Sequence, residues 1–150
     1  AKDSNLNYFE EFIKLLRECD NILTILEWCL TIENNQTLVD VLWILSNLFS
    51  DEEEDYSQNS ILEHPSLLLW INHFTANTIN DKVQTWAFIA IANLFLVPVI
   101  GDIIYSKTSF INNLISYPKD RLLDLENMQT YTWVVDIVMR YIFDDWFFEK

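Results

Sequence analysis

Apolar residues recur along this chain at intervals of three and four, which is the spacing of one face of an α-helix. Asparagine, aspartate and proline separate the apolar blocks and suit helix starts and ends. The acidic segment 51–60 is expected to be a loop with a short helix after it, and 119–126 an irregular link. The pattern therefore predicts an all-α fold with helices over 6–18, 21–32, 36–50, 66–76, 82–97, 100–105, 110–117 and 127–143.

The three longest predicted helices resemble one another. They read 43-WILSNLF-49, 86-WAFIAIANLF-95 and 133-WVVDIVMRYIF-143. Their recurrence falls in the range of roughly 40–47 residues that is typical of armadillo and HEAT repeats, in which two or three helices form each unit. Stacked units of this kind share one continuous core. The chain is therefore predicted to be a single armadillo-like domain over 1–150. Its repeats lie near 6–50, 56–97 and 99–144, flanked by 1–5 and 145–150.

Composition supports helices over strands. The chain has 150 residues, of which 51% are hydrophobic, but only one is glycine and three are proline. All-β folds rich in turns usually need more of both. The run 86–100 is almost wholly apolar, yet Asn93 and Pro98 interrupt it, and a membrane span needs about 20 apolar residues. We expect a buried helix there and no association with membranes.

The two cysteines, Cys19 and Cys29, both fall in apolar helical patterns. Two small core residues are expected at these positions, and no disulfide framework is implied. No signal peptide is visible, so the cytoplasm or the nucleus is the expected location.

The net charge of −14, from 23 acidic and 9 basic residues, bears on partners. Such a chain repels nucleic-acid phosphates, so direct binding of DNA or RNA is not expected. It attracts basic partners and steers them in. The alternative is that the acidity only keeps a tryptophan-rich protein soluble.

Signatures of catalysis are missing from the sequence. It contains no glycine-rich phosphate loop, no G-x-S-x-G and no HExxH. His64 and His73 stand without a metal-ligand pattern around them. We therefore expect no catalytic residues, no metal and no cofactor.

The motif 43-WILSNLF-49 resembles the third helix of importin-α armadillo repeats, which typically reads W-x-L-S-N. The segments 61-ILEHPSLLLWINHF-74 and 103-IIYSKTSFINNLI-115 resemble the passage from first to second helix in such repeats. This resemblance implies a right-handed α-solenoid of about three repeats, whose third helices line a concave groove. It further implies a non-enzymatic module that binds an extended basic peptide, like a nuclear-localisation signal, as nuclear-import adaptors do.

In that family, indoles pack on the stems of lysine and arginine, and asparagine carboxamides bond the peptide backbone. Both roles are chemically sound, because an indole face attracts a cation and a carboxamide both donates and accepts. Trp43 and Asn47 are four residues apart and so share one helix face. Asp51, one turn further on, would add negative charge at the groove edge.

The second and third long helices depart from the motif. Ile89 stands four residues before Asn93, and Trp86 lies two turns back. In the third helix Arg140 replaces the asparagine. Arg140 would favour an acidic ligand residue unless its own helix neutralises it through Asp136 or Asp144. The candidate peptide-binding residues are Trp43, Asn47, Asp51, Trp86, Asn93, Trp133, Asp136 and Arg140.

A second hypothesis gives these residues structural roles. The tryptophans would be core residues, as expected for Trp28 and Trp70, and Asn47 would hold a neighbouring turn. The chain would then be an armadillo-like scaffold domain that holds a partner protein within a larger complex. The aromatic tail is a further possible partner surface or packing unit, formed by Trp146, Phe147 and Phe148.

Overall fold

A computed structural model of the chain describes the backbone of residues 2–148 and the side chains of residues 7–144. The described part is all-helical and contains no strand, which confirms the predicted fold class at that level. Between residues 2 and 148 the helices are α1 (Lys2–Arg17), α2 (Ile22–Cys29), α3 (Asn35–Leu48), α4 (Glu54–Glu63), α5 (Pro65–His73), α6 (Asp81–Phe95), α7 (Ile100–Lys107), α8 (Phe110–Ile115) and α9 (Leu125–Phe148). Two 3-10 turns, Asp51–Glu53 and Lys119–Leu123, complete the order.

Side-chain caps explain where the long helices begin. The Asn34 side chain accepts a hydrogen bond from the Thr37 amide at 3.0 Å and starts α3. Asn80 starts α6 in the same way, and Pro65 occupies the first turn of α5. Asparagine is a preferred N-cap and proline a preferred first-turn residue, because both suit backbone groups that the helix itself leaves unpaired. The predicted starts of these three helices are therefore confirmed to within a residue or two.

The acidic segment differs from the prediction of a loop. A 3-10 turn covers Asp51–Glu53, and α4 follows directly. The Ser50 hydroxyl accepts from the Glu52 amide at 3.1 Å, which caps this turn. Acidic side chains in a first turn are stabilised by the positive end of the helix dipole. The acids therefore start a helix here.

The third helices of the predicted repeats form a row. The central helix α6 packs against α3 on one side and against α9 on the other. Helix α2 packs on α3 and α5, α5 on α6, and α7 on α6. Side chains of α6 that face its neighbours are completely buried, as Ala87, Ala90 and Ile91 are, and the two alanines allow close approach of the flanking helices. The apolar run is thus a core helix, and no described helix is long and apolar enough to cross a membrane.

The turn between α6 and α7 is tight. An added Cβ at Gly101 would lie 2.1 Å from the carbonyl oxygen of Phe95, so only glycine fits. Val99, two residues earlier, has φ of 72°, which is a strained conformation for a β-branched residue. These two residues lie at the connection between α6 and α7, which pack on each other.

Two core predictions are wrong. Cys19 is exposed because α1 ends at Arg17 and leaves it in the following turn, and Cys29 is only half-buried. Trp28 is 70% exposed, because the core-facing side of α2 is formed by Leu23 and Leu26 instead. The other expected core indole, Trp70, is half-buried against Phe74, their ring centroids 6.0 Å apart.

Candidate functional site

The candidate indoles of α3, α6 and α9 lie at the surface. Trp43 is 42% exposed and Trp133 is 37% exposed, while Trp86 on the central helix is half-buried. The Trp43 ring lies beside that of Phe9 on α1, with a centroid distance of 6.1 Å. All three candidate indoles are therefore partly exposed, and the one on α6 is the least exposed.

A surface cavity of about 530 Å³ lies where α3, α6 and α9 begin. Trp86 and Ile89 form its wall on α6. Three acids and one base, Lys82, belong to its lining. The full lining is Gln36, Val39, Asp81, Lys82, Thr85, Trp86, Ile89, Asp124, Glu126, Asn127, Gln129 and Thr130. Of the eight candidate residues, this cavity contains Trp86.

The acids of the cavity are held in place. Both Asp81 carboxylate oxygens accept from Asn127 Nδ2, at 3.1 and 2.9 Å. One Asp124 oxygen accepts from the Glu126 and Asn127 amides at 2.9 and 3.2 Å and so caps α9. Glu126 itself is exposed. Asp81 also lies 4.0 Å from the Arg121 guanidinium. Among the described residues, Glu126 is thus the cavity acid whose carboxylate has no partner, and an indole beside it suits a cationic side chain.

The two candidate asparagines already donate within the protein. Asn47 Nδ2 donates to the Trp43 carbonyl oxygen of its own helix at 2.8 Å. Asn93 Nδ2 donates to the Ser46 carbonyl oxygen at 2.6 Å and so ties α6 to the end of α3. A carboxamide also carries an acceptor oxygen. No donor among the described residues reaches that oxygen in either asparagine.

Arg17, like Asn93, donates hydrogen bonds to backbone carbonyls at the end of α3. Its Nε and NH2 atoms donate to the carbonyls of Leu48 and Asn47 at 2.9 and 3.0 Å. The guanidinium also lies 3.7 Å from Glu53 and over the Tyr56 ring, 5.9 Å from its centroid. The last carbonyls of a helix have no partner within it, so these bonds stabilise α3. Arg17 was not among the predicted residues, and its only signal in the sequence is a basic residue in the last turn of α1.

The third candidate helix presents an ion pair. Arg140 Nε lies 3.3 Å from Asp136 Oδ2, and the two side chains are 54% and 64% exposed. Of the two expected neutralising residues, Asp136 is thus the one that pairs with Arg140. Asp51, at the start of its 3-10 turn, is exposed and lies outside the cavity lining. Exposed pairs of this kind contribute only about 0.3–0.5 kcal/mol, so a ligand can compete for either partner.

A buried polar network next to the cavity was also missed by the sequence analysis. Gln84 is completely buried; its Nε2 donates to the Thr75 carbonyl at 2.9 Å and to Asn77 Oδ1 at 2.7 Å. Its Oε1 accepts from Arg121, whose NH2 also donates to the Ile79 carbonyl at 2.9 Å. The network anchors the turn before α6 to the 3-10 turn before α9. It positions two of the three helix starts that surround the cavity.

Burial acts on the acidity of three phenols. Burial raises the pKa values of Tyr56, Tyr117 and Tyr131 above the usual value of a tyrosine, so these phenols stay protonated at neutral pH. Within residues 7–144, no cluster of three or more His, Cys, Asp or Glu side chains is arranged to hold a metal ion. The aromatic tail residues Trp146, Phe147 and Phe148 lie outside the described side chains.

Comparison of the chain with models of protein families, with curated proteins and with solved structures finds no match.

Proposed function

We propose that the chain is an armadillo-like α-solenoid of three repeats and a non-enzymatic protein-binding module. It binds an extended basic peptide in a concave groove along α3, α6 and α9, as nuclear-import adaptors do, in the cytoplasm or the nucleus. The resemblance of 43-WILSNLF-49 to importin-α repeats motivates this proposal. The row of α3, α6 and α9 and the surface position of its three indoles support it.

The acidic cavity beside Trp86 carries the proposal. A lysine side chain could pack its methylene groups on the Trp86 indole and direct its ammonium to Glu126. The volume of about 530 Å³ accommodates such a side chain. Trp43 and Trp133 on the flanking helices would take neighbouring residues of the peptide. An extended peptide with basic residues at intervals fits this arrangement.

The peptide backbone would donate hydrogen bonds to the side-chain oxygens of two asparagines. Asn47 and Asn93 donate to Trp43 and Ser46 carbonyls, so their Oδ1 atoms are the groups that accept peptide N–H donors. Arg140 favours an acidic residue at its end of the peptide, where a carboxylate displaces Asp136. The preferred ligand is therefore bipolar, basic opposite Trp86 and Trp43 and acidic opposite Arg140.

Titration with a fluorescent lysine-rich peptide tests the proposal. Replacing Trp86 with alanine should weaken binding about tenfold, the loss expected for one desolvated cation–π contact. The matched control is Trp28→Ala, which removes an indole that is 70% exposed on α2, and it should change affinity less than twofold. Binding should also weaken with added salt. Equal effects of the two substitutions, or affinity that ignores salt, would refute a groove at Trp86.

A scaffold role remains the second candidate, because apolar side chains protrude outside the proposed groove. Ile25 and Trp28 on α2 are 52% and 70% exposed. Exposed apolar clusters of this kind mark protein contacts. Isolation of stoichiometric partners whose binding is lost in Trp28→Ala and kept in Trp86→Ala would favour the scaffold over the peptide receptor.

A further inference from the structure

Helix α1 turns an apolar row toward solvent. Tyr8, Phe12 and Leu15 are 69%, 58% and 61% exposed, although Ile13 on the same helix is buried. Their spacings of four and three residues place them on one face. The helix packs on α3, where its Phe9 ring lies beside Trp43. Three large apolar side chains in one row exceed the scattered single exposures that are normal on a protein surface.

An acidic row borders this apolar row. Glu11 lies three residues after Tyr8 and four before Leu15, and Glu18 lies three after Leu15, so all four are neighbours on the helix surface. Glu11 and Glu18 are exposed. The three ion pairs among residues 7–144 involve neither of them. Exposed Lys14 lies three residues after Glu11 and four before Glu18, so this edge carries two carboxylates and one ammonium. The face therefore presents apolar anchors along an edge of net negative charge.

We propose that this face of α1 docks an amphipathic helix of a partner protein, whose apolar side covers Tyr8, Phe12 and Leu15. Lysine or arginine side chains beside that apolar side lie opposite Glu11 and Glu18. A helix that packs along another helix contacts side chains spaced three and four residues apart, which is the spacing of Tyr8, Phe12 and Leu15. The occupant is thus helical and anchored by apolar contacts, unlike the extended peptide of the proposed groove.

Charge selects this occupant over two others. A second copy of the chain would carry the same acids and a net charge of −14, so pairing two α1 faces would bring like charges together. An anionic membrane surface is repelled for the same reason. The exposed row on α2, with Ile25 and Trp28, has threonines beside it, and the one acid of that helix, Glu27, already accepts a hydrogen bond from Ser66.

A synthetic helix tests the proposal. The probe is a capped, fluorescent peptide of about 18 residues, long enough to be helical, with leucines on one face and lysines on its flanks. The intact chain should bind it one to one. Two control peptides should bind at least about tenfold more weakly: the same composition in scrambled order, and the same pattern with glutamate for lysine.

Matched variants locate the site. Leu15→Ser should weaken probe binding about tenfold, the loss expected on removing one anchoring leucine. Leu69→Ser, at a leucine of the same 61% exposure on α5, should change it less than twofold. Phe12→Ser is a second test of the same row. Glu18→Gln should weaken binding about threefold at low salt and have no effect at high salt.

Several results would overturn the proposal. Equal losses of affinity from Leu15→Ser and Leu69→Ser, or equal binding of the scrambled peptide, would show that the probe binds non-specifically and not at α1. A dimer of the chain alone that Leu15→Ser dissociates would make a second copy the occupant, and Leu15-dependent binding to lipid vesicles would make it a membrane. Trp86→Ala should leave binding of the helical probe unchanged. If that variant loses both the probe and the lysine-rich peptide, the two ligands share one site and the α1 face is not a separate one.

Discussion

Replacing Gln84 with leucine should be among the most destabilising single changes in the chain. Gln84 is completely buried, and its carboxamide bonds the Thr75 carbonyl, the Asn77 carboxamide and the Arg121 guanidinium. Leucine is similar in size but bonds none of them. The three groups would then lie next to an apolar side chain with a hydrogen bond missing.

The expected loss follows from those three contacts. A buried polar group left without its partner costs about 1–3 kcal/mol, and more where a charge is involved. Arg121 and Asn77 keep other partners, the Ile79 carbonyl among them, so part of the loss is recovered. We therefore expect Gln84→Leu to lower the free energy of unfolding by about 3–5 kcal/mol. For a slope of about 2 kcal/mol per molar urea, the unfolding midpoint falls by roughly 1.5–2.5 M.

Urea unfolding followed by tryptophan fluorescence measures this change. The matched control is Gln58→Leu, because Gln58 Nε2 also donates to a backbone carbonyl, that of Pro98 at 3.0 Å, but at the surface. Its loss should be about 0.5–1 kcal/mol, since water replaces the bond. In the double variant with Arg121→Met, the two losses should be far from additive because the residues share one network. Equal losses at the two glutamines, or additive losses at Gln84 and Arg121, would refute the reasoning.

Two further predictions concern the turn after α6 and the buried phenols. Gly101→Ala should lower the free energy of unfolding by about 2–3 kcal/mol, because the new methyl would lie 2.1 Å from the Phe95 carbonyl oxygen. Ser106→Ala on the same helix is the control and should be nearly neutral. Equal thermal unfolding of the two variants would show that a methyl group fits at Gly101. Burial raises the pKa of Tyr131, whose hydroxyl donates to the Leu114 carbonyl at 2.8 Å. The phenol therefore contributes fully to the free energy of unfolding below pH 10, and less above it because the unfolded chain ionises first. Between pH 10 and 11 the stability of Tyr131→Phe should fall less than that of the unsubstituted chain, and identical pH profiles would contradict this.

The placement of the two candidate surfaces suggests how they would work together. The Phe9 ring on α1 lies beside Trp43, at the edge of the face proposed for the peptide. A partner helix on α1 and a peptide on α3 and α6 would therefore occupy neighbouring parts of the protein.

Local chemistry explains what could be read from the sequence. Apolar spacing identified the helices, and Asn34, Pro65 and Asn80 marked helix starts, because caps and first-turn residues act on backbone groups only a few residues away. The same local logic was incomplete at 51–55, where Ser50 and the acids start a helix that a charge count alone does not reveal. The resemblance of the long helices to importin-α repeats placed Trp86 among the candidate residues, and that indole lines a cavity.

Tertiary packing decided which face of each helix is covered and where the polar side chains bond. Trp28 and Cys19 were predicted to be core residues but lie at the surface, because α2 turns Leu23 toward the core and α1 stops at Arg17. Asn93 reaches Ser46 on α3, a partner far away in the chain. Such bonds depend on how helices stack. Helical periodicity determines that a face exists, and only the neighbouring helices determine whether it becomes core, network or open surface.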